Sequence, residues 1–389
     1  MASPTKNQLS DFQNLRTANS GLFLIAIIAL PFDNALFHLS GLLLLLTASL
    51  ALVRTGVSPL LQMLANKQKV LKTFLAIAMI MALSNLWNGQ GTEAWYALSV
   101  FIIRYVLLFF VLLFLLENRL LTFRFIFFAS MVSLCVQFLS FLPEIVTGKI
   151  FDHRFHGFLS NPNVAGFYAG IGVLLGVFLA AEPKIHMAVR LPVSTAMILV
   201  TLIVLLASGN RGGWVALVGS LACLSLFTLR ENYKKIIALL ALVSLASFYV
   251  FSQFSVPKAR LDLLVSGYPA LRDTLWAHIL QLFLQQPILG YGLDTRAVLL
   301  GGQKISSEHN IFLSVLLGLG SLGAIAYSFL LFFICRPAWE RRNAVGLSAM
   351  TFLMGAGFFG FDFYRDQTFM VSFVIVSLLC LQAHRHQKL

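Results

Sequence analysis

Apolar residues come in long blocks along this chain, and short polar segments separate the blocks. The blocks fall at roughly 18–33, 36–53, 73–89, 95–116, 122–142, 163–181, 192–209, 213–229, 236–254, 307–334, 344–361 and 367–383. A helix needs about 20 apolar residues to cross a hydrocarbon core, and these blocks come near that length. None shows the ten-residue alternation of a membrane β-barrel. The pattern predicts an all-α polytopic membrane protein with about 12 transmembrane helices. Residues 1–389 are expected to form a single integral membrane domain. Two polar segments are long, 143–162 and 255–306, and the second is large enough to fold against the membrane surface.

Composition supports this class. Hydrophobic residues make up 59% of the 389 and charged residues 11%, and mean hydropathy is +0.85. Cys135, Cys223, Cys335 and Cys380 lie in or beside apolar blocks and are expected to be small core residues, with no metal spacing among them. The polar stretch through Ser20 lacks the short apolar region of a cleavable signal. The net charge of +13 suggests nucleic acid at first sight. Its distribution argues instead for membrane topology. With both termini in the cytoplasm, the inner segments hold twice as many Lys and Arg as the outer ones, as the positive-inside rule requires. Nucleic acid is therefore not an expected partner; membrane lipids are.

The basic residues on the outer side run against that bias, so they are candidates for chemistry. Arg211 lies in Ser208-Gly209-Asn210-Arg211-Gly212-Gly213, a very short outer turn. Glycines there allow close backbone approach, and the helix that follows aims free amides at an anion. An interfacial arginine in a tight turn is the competing account. Residues 270–283 carry Leu271, Leu275, Ile279 and Leu282 at helical spacing, with Trp276 beside them, and Pro287, Gly290 and Gly292 follow. Arg272 in its first turn either snorkels from a helix lying on the bilayer or forks onto phosphate oxygens. Arg104 lies inside the fourth block, where an ionisable residue is a functional candidate unless it pairs structurally. Arg154 and His156 precede the Asn161-Pro162 helix start and are candidates to line the same outer cavity.

His309 occupies the point where the long polar loop gives way to the tenth apolar block. Ser306 and Ser307 are expected to cap that helix, which places His309 in its first turn. The helix dipole there favours a neutral imidazole able to accept a proton, while Glu308 acts in the opposite sense. Asn310 is positioned to orient the ring or a substrate hydroxyl. Gly318, Gly320 and Gly323 are expected to give the helix a small face for close packing. A lone interfacial histidine is the alternative reading.

Together these residues resemble the O-antigen ligases of Gram-negative bacteria, within the superfamily that also holds the O-antigen polymerases. The ligase signature is His, then Asn, Ser or Gln, nine residues, Gly, two residues, then Gly, Thr or Tyr. His309-Asn310 through Gly320 and Gly323 fits it without a gap. Arg272-Asp273-Thr274-Leu275-Trp276 with Pro287, Gly290 and Gly292 resembles the family's loop segment, and Ser208 to Trp214 resembles its arginine turn.

The resemblance implies a glycosyltransferase of the bacterial inner membrane, with its active site on the periplasmic face and 255–306 as a periplasmic loop. The donor would be O-antigen polysaccharide on undecaprenyl diphosphate. The acceptor would be a sugar hydroxyl of the lipid A–core oligosaccharide. No metal ion or other cofactor is expected. His309 is expected to act as general base, with Arg211 and Arg272 on the diphosphate and Arg104, Arg154, His156 and Asn310 assisting substrate binding. A polymerase of the same superfamily would use the same arginines. A lipid-linked glycan transporter or flippase is the rival from another class, and it predicts functional groups at the membrane midplane.

Overall fold

The computed structural model describes residues 6–29, 34–147, 162–181, 185–228, 271–293, 299–300, 303–304, 310–361 and 367–382. Within them the chain is helical, apart from a two-residue antiparallel pairing of β1 (Leu299–Leu300) with β2 (Gln303–Lys304). The helices are α1 (Lys6–Ala29), α2 (Asn34–Thr55), α3 (Ser58–Asn66), α4 (Gln68–Trp87), α5 (Thr92–Phe101), α6 (Leu108–Glu117) and α7 (Phe123–Val146). They continue with α8 (Pro162–Ala181), α9 (Met187–Ala207), α10 (Arg211–Thr228), α11 (Leu271–Gln285), α12 (Ile311–Glu340), α13 (Ala344–Gly360) and α14 (Gln367–Gln382). A six-residue π-helical segment, Ile102–Leu107, joins α5 to α6.

Five of the described helices are long and apolar enough to cross a membrane, and a sixth span results if α2 and the bent α3 are counted together. The bend between those two is 112°. Gly56, with φ of +77°, supplies a backbone conformation that L side chains rarely adopt. Four shorter apolar helices lie in α7, α10, α13 and α14. The expected block at 236–254 lies outside the described residues. Helix α1 begins at Lys6, well before the apolar block expected from 18.

Aromatic and aliphatic side chains form one continuous core through α4, α6, α12 and α14. Phe74, Phe101, Phe109, Tyr105 and Phe373 are fully buried in it. Many large apolar residues remain exposed around the bundle, among them Leu75, Met79, Val215 and Phe329. That is the surface expected of helices whose surroundings are lipid rather than water. Cys380 is buried, Cys223 and Cys335 are half-buried, and Cys135 is exposed on α7, so the core role expected of all four fails for Cys135.

Antiparallel packing sorts the chain's charges between two ends. At one end Arg341 donates to the Leu381 carbonyl and Asn343 to that of Leu379. Lys67 is there too, near Glu117 and Arg341, and burial lowers its pKa below the ordinary lysine value. At the other end lie the starts of α8, α10, α12 and α14 and the last turns of α4 and α13. Gly360 approaches Asn163, Gly357 approaches Ile311 and Phe369, and Ser84 bonds to Gly318. The short arginine turn, the loop helix and the start of α12 all belong to this second end.

Candidate active site

Helix α10 starts where its sequence says it should. Asn210 caps it, with Oδ1 accepting from the Gly213 amide at 3.1 Å. Its Nδ2 donates to the Asn163 carbonyl at 2.9 Å, which ties the turn to the start of α8. Gly209 takes φ of +60° in the reversal. The glycines beside Arg211 have a packing use. A Cβ on Gly212 would overlap Cβ of Phe359, and one on Gly213 would press on Leu205 at 3.0 Å. Both glycines permit close helix packing. Arg211 is the first residue of α10.

Helix α11 spans Leu271–Gln285, close to the stretch expected. Its apolar face does not lie free on a bilayer. Ile279 is fully buried against Leu313 and Leu317 of α12, with Leu275, Trp276 and Leu282 packed around them. Arg272 is one turn before Trp276 on this helix. The loop helix is thus docked on the helix that His309 precedes, and its position is fixed by protein rather than by lipid.

Helix α12 corrects the expected cap. Asn310, not Ser306 or Ser307, is the capping residue. Its Oδ1 accepts from the amides of Phe312 at 2.9 Å and Leu313 at 3.1 Å, and its extended backbone (φ −158°, ψ 115°) ends the helix there. The helix begins at Ile311, so position 309 precedes the cap rather than falling in the first turn. An asparagine cap satisfies two amides at once, which makes the upstream serines unnecessary. The Asn310 Oδ1 is thereby engaged with the helix backbone and fixes where the helix begins. His309 itself, Arg154 and His156 lie outside the described residues.

Two neighbouring phenylalanines near the end of α13 connect these elements. Phe359 packs on Gly212, beside Arg211. The Phe358 ring lies 5.4 Å from that of Trp276 on α11 and 6.1 Å from that of Phe312, two residues after Asn310. The two phenylalanine rings are 4.9 Å apart, edge to face. Segments separated by a hundred residues of sequence therefore meet at one aromatic hub. The structure brings together the elements that bear Arg211 and Arg272 and the helix that His309 precedes. Sequence reasoning missed Phe358 and Phe359, because two phenylalanines in an apolar block carry no distinguishing signal.

Phe358 is 39% exposed, so its removal should perturb the site more than the core. Phe358→Ala is expected to leave the protein inserted and folded but to slow its reaction roughly tenfold to a hundredfold, because Trp276 of α11 loses the ring on α13 that it rests against. Activity measured at matched membrane levels checks this. Phe358→Leu, which keeps bulk, should retain most of it.

Arg104 stands apart from the hub. It is buried, in the π-helical segment, next to Tyr105, whose ring meets Phe373 at 5.5 Å. Phe373 in turn neighbours Tyr327, and Tyr327 neighbours Phe312. A chain of rings thus runs from the hub to the residue beside Arg104. A π-helical turn inside a span is an irregularity that recurs at functional positions.

The polar run Ser84-Asn85 through Asn88 and Gln90, closing α4, was also missed. It holds residues 287–293 by hydrogen bonds, and its signal was visible as a polar cluster ending an apolar block.

No match to the chain was found among curated proteins. Residues 195–328 match the family model described as O-antigen ligase. The match runs from α9 through the Gly320–Gly323 portion of α12, so it contains Arg211, Arg272, His309 and Asn310. Over the matched residues, about a third of the chain, the protein is similar to the O-antigen ligase family.

Proposed function

We propose that this protein is an O-antigen ligase of the bacterial inner membrane. It transfers polysaccharide from undecaprenyl diphosphate to a sugar hydroxyl of lipid A–core. The observation that carries the reading is the convergence of three segments at the Phe358–Phe359 hub. They are the arginine turn, the loop helix and the helix that His309-Asn310 introduces. Residues 1–389 form one membrane domain of about twelve spans, with both termini cytoplasmic. The hub end faces the periplasm, and the end bearing Lys67 and Arg341 faces the cytoplasm. Residues 255–306 are the periplasmic loop.

The chemistry follows from the residue types. His309 removes the proton from the acceptor hydroxyl. The oxygen attacks the anomeric carbon, the bond from that carbon to the diphosphate oxygen breaks, and undecaprenyl diphosphate departs with the electron pair. Arg211 and Arg272 hold the diphosphate and offset its growing charge. Attack opposite the leaving group inverts the anomeric centre. Arg104 adds positive charge deeper in the bundle, on the lipid side of the diphosphate. Arg154 and His156 line the acceptor side. The step needs no cofactor, since the diphosphate is already an activated leaving group.

The test is the lipopolysaccharide gel profile of a deletion strain with and without the gene. A ligase restores the long ladder, and its loss leaves bare core while lipid-linked polymer accumulates. Core bearing one repeat unit in the deletion would make the protein a polymerase. Lipid-linked glycan trapped in the cytoplasmic leaflet would make it a flippase. For the guanidinium fork, Arg211→Lys is expected to lower transfer roughly tenfold to a hundredfold at matched expression, because a point charge cannot bind two phosphate oxygens in parallel. Full activity of that variant would reduce the role of Arg211 to charge alone.

A further inference from the structure

Helix α12 is broken at Gly320, where φ is +64° and ψ is −161°. A break frees carbonyls from the turn before it and amides from the turn after it, and these need partners when no water is at hand. The segment after α11 supplies them. The amides of Tyr291 and Gly292 donate to the carbonyls of Leu317 and Gly318 at 2.8 and 3.0 Å. The amides of Ser321 and Leu322 donate to the carbonyls of Pro287 and Ile288 at 2.8 and 3.3 Å. Residues 287–293 thus form a strap threaded into the break, backbone against backbone.

The end of α4 clamps the other side of the strap. Ser84 Oγ lies 2.6 Å from the Leu289 carbonyl and 2.9 Å from that of Gly318, so one hydroxyl proton serves strap and helix together. Asn88 donates to the Gly290 carbonyl at 3.0 Å, and Gln90 to that of Tyr291 at 2.8 Å. Asn85 accepts from the Leu293 amide at 3.0 Å and donates to the Ala94 carbonyl at 3.0 Å, anchoring the clamp to α5. Gly290 and Gly292, with φ of +66° and +82°, are the only residue type that fits: a Cβ on Gly290 would meet the Leu317 carbonyl oxygen at 2.5 Å, and one on Gly292 would meet Gln90 at 2.7 Å.

We infer that Ser84, Asn85, Asn88 and Gln90 are positioning residues for transfer. They hold the strap in the α12 break and thereby fix the loop helix bearing Arg272 against the short upper piece of α12 that His309 precedes. The proposal rests on the ligase reading for its chemistry. The break makes the upper piece, residues 311–319, a separate rod. Its tilt is set by what fills the break and not by the rest of α12. The strap joins directly to α11, so loosening it moves both partners of the reacting pair. The four clamp residues act through the backbone of the strap and of α12, so their effect belongs on the rate of the bound complex rather than on donor affinity.

The test uses full-length protein in lipid nanodiscs, with undecaprenyl-diphosphate-linked polymer as donor and lipid A–core as acceptor. Gln90→Met keeps side-chain length and removes the donor, whereas Gln90→Lys keeps a donor. Gln90→Met is expected to lower kcat about tenfold with KM for the lipid-linked donor within about twofold, and Gln90→Lys to stay near wild type. Hydrogen exchange should quicken in Gln90→Met at 287–293 and 311–322 and nowhere else. Asn88→Ala makes the same test by an independent bond. Faster exchange of the strap with unchanged kcat overturns the proposal. So does a kcat that falls only in proportion to the folded fraction, or an equal loss in Gln90→Lys. Failure of the ligase reading looks different: wild type itself then attaches nothing to lipid A–core. If it instead extends lipid-linked glycan, the same variants are compared on that reaction; if it does neither, the positioning role falls with the reading.

Discussion

Gly320→Ala should cost this protein most of its folded population. The residue takes a backbone conformation that only glycine occupies readily, and forcing another residue into it costs about 1–3 kcal/mol. A Cβ there would also overlap the Ile288 carbonyl oxygen and crowd the Gly290 amide, both of them backbone atoms of the strap. Side chains can rotate away from a methyl group; a strap hydrogen-bonded on both sides cannot. Overpacking against so fixed a neighbour adds a further cost of about 1–3 kcal/mol. Expulsion of the strap would leave the Leu317 and Gly318 carbonyls and the Ser321 and Leu322 amides without partners. The expected result is a large drop in melting temperature in detergent and little protein in the membrane. Gly219→Ala is the control. Its Cβ would meet only a Thr351 methyl at 3.7 Å, so a helical alanine there should be neutral or slightly stabilising. Equal behaviour of the two variants would mean that the strap is not seated in the break.

The same glycine shows where sequence reasoning stops. A row of Gly318, Gly320 and Gly323 at helical spacing reads as a small face for a neighbouring helix, and nothing in the row distinguishes a break. The break depends on a partner about thirty residues upstream, whose own glycines read only as turn residues. Gly323 follows from it: a Cβ there would meet Leu319 of the same helix, swung over that site by the kink. What could be read were features with a local cause. Leu275, Trp276, Ile279 and Leu282 announced the buried face of α11 by their period alone, and α13 and α14 begin and end within a residue or two of the apolar blocks. The cap was misplaced because Ser306, Ser307 and Asn310 all suit that role, and only the hydrogen bonds choose among them. The short π-helical turn at Arg104 and the bend after Gly56 have no periodic signature either. Three of the four motif residues are thereby accounted for by architecture: Gly320 makes the break, Gly323 leaves room for Leu319 and Asn310 makes the cap. That leaves the histidine as the motif residue for which the helix architecture supplies no reason.

This distinction gives the largest expected effect on activity. His309→Ala should abolish ligation while leaving the fold intact. The helix that follows does not need the imidazole, because Asn310 satisfies the Phe312 and Leu313 amides on its own. The hub does not need it either, since Trp276, Phe358 and Phe312 hold one another. Loss of a general base lowers a rate by about a hundred- to ten-thousandfold, whereas removal of a side chain ahead of a helix cap changes stability little. The expected outcome is therefore a melting temperature near wild type, normal binding of lipid-linked donor and bare-core lipopolysaccharide in the deletion strain. Asn310→Ala should behave in the opposite way: loss of the cap costs about 1 kcal/mol of stability and slows transfer through misplacement of the helix start, without abolishing it. A His309→Ala protein that ligates at the wild-type rate would remove the base from the mechanism. The acceptor hydroxyl would then have to lose its proton to the departing diphosphate itself, with the arginines as the whole of the catalytic apparatus.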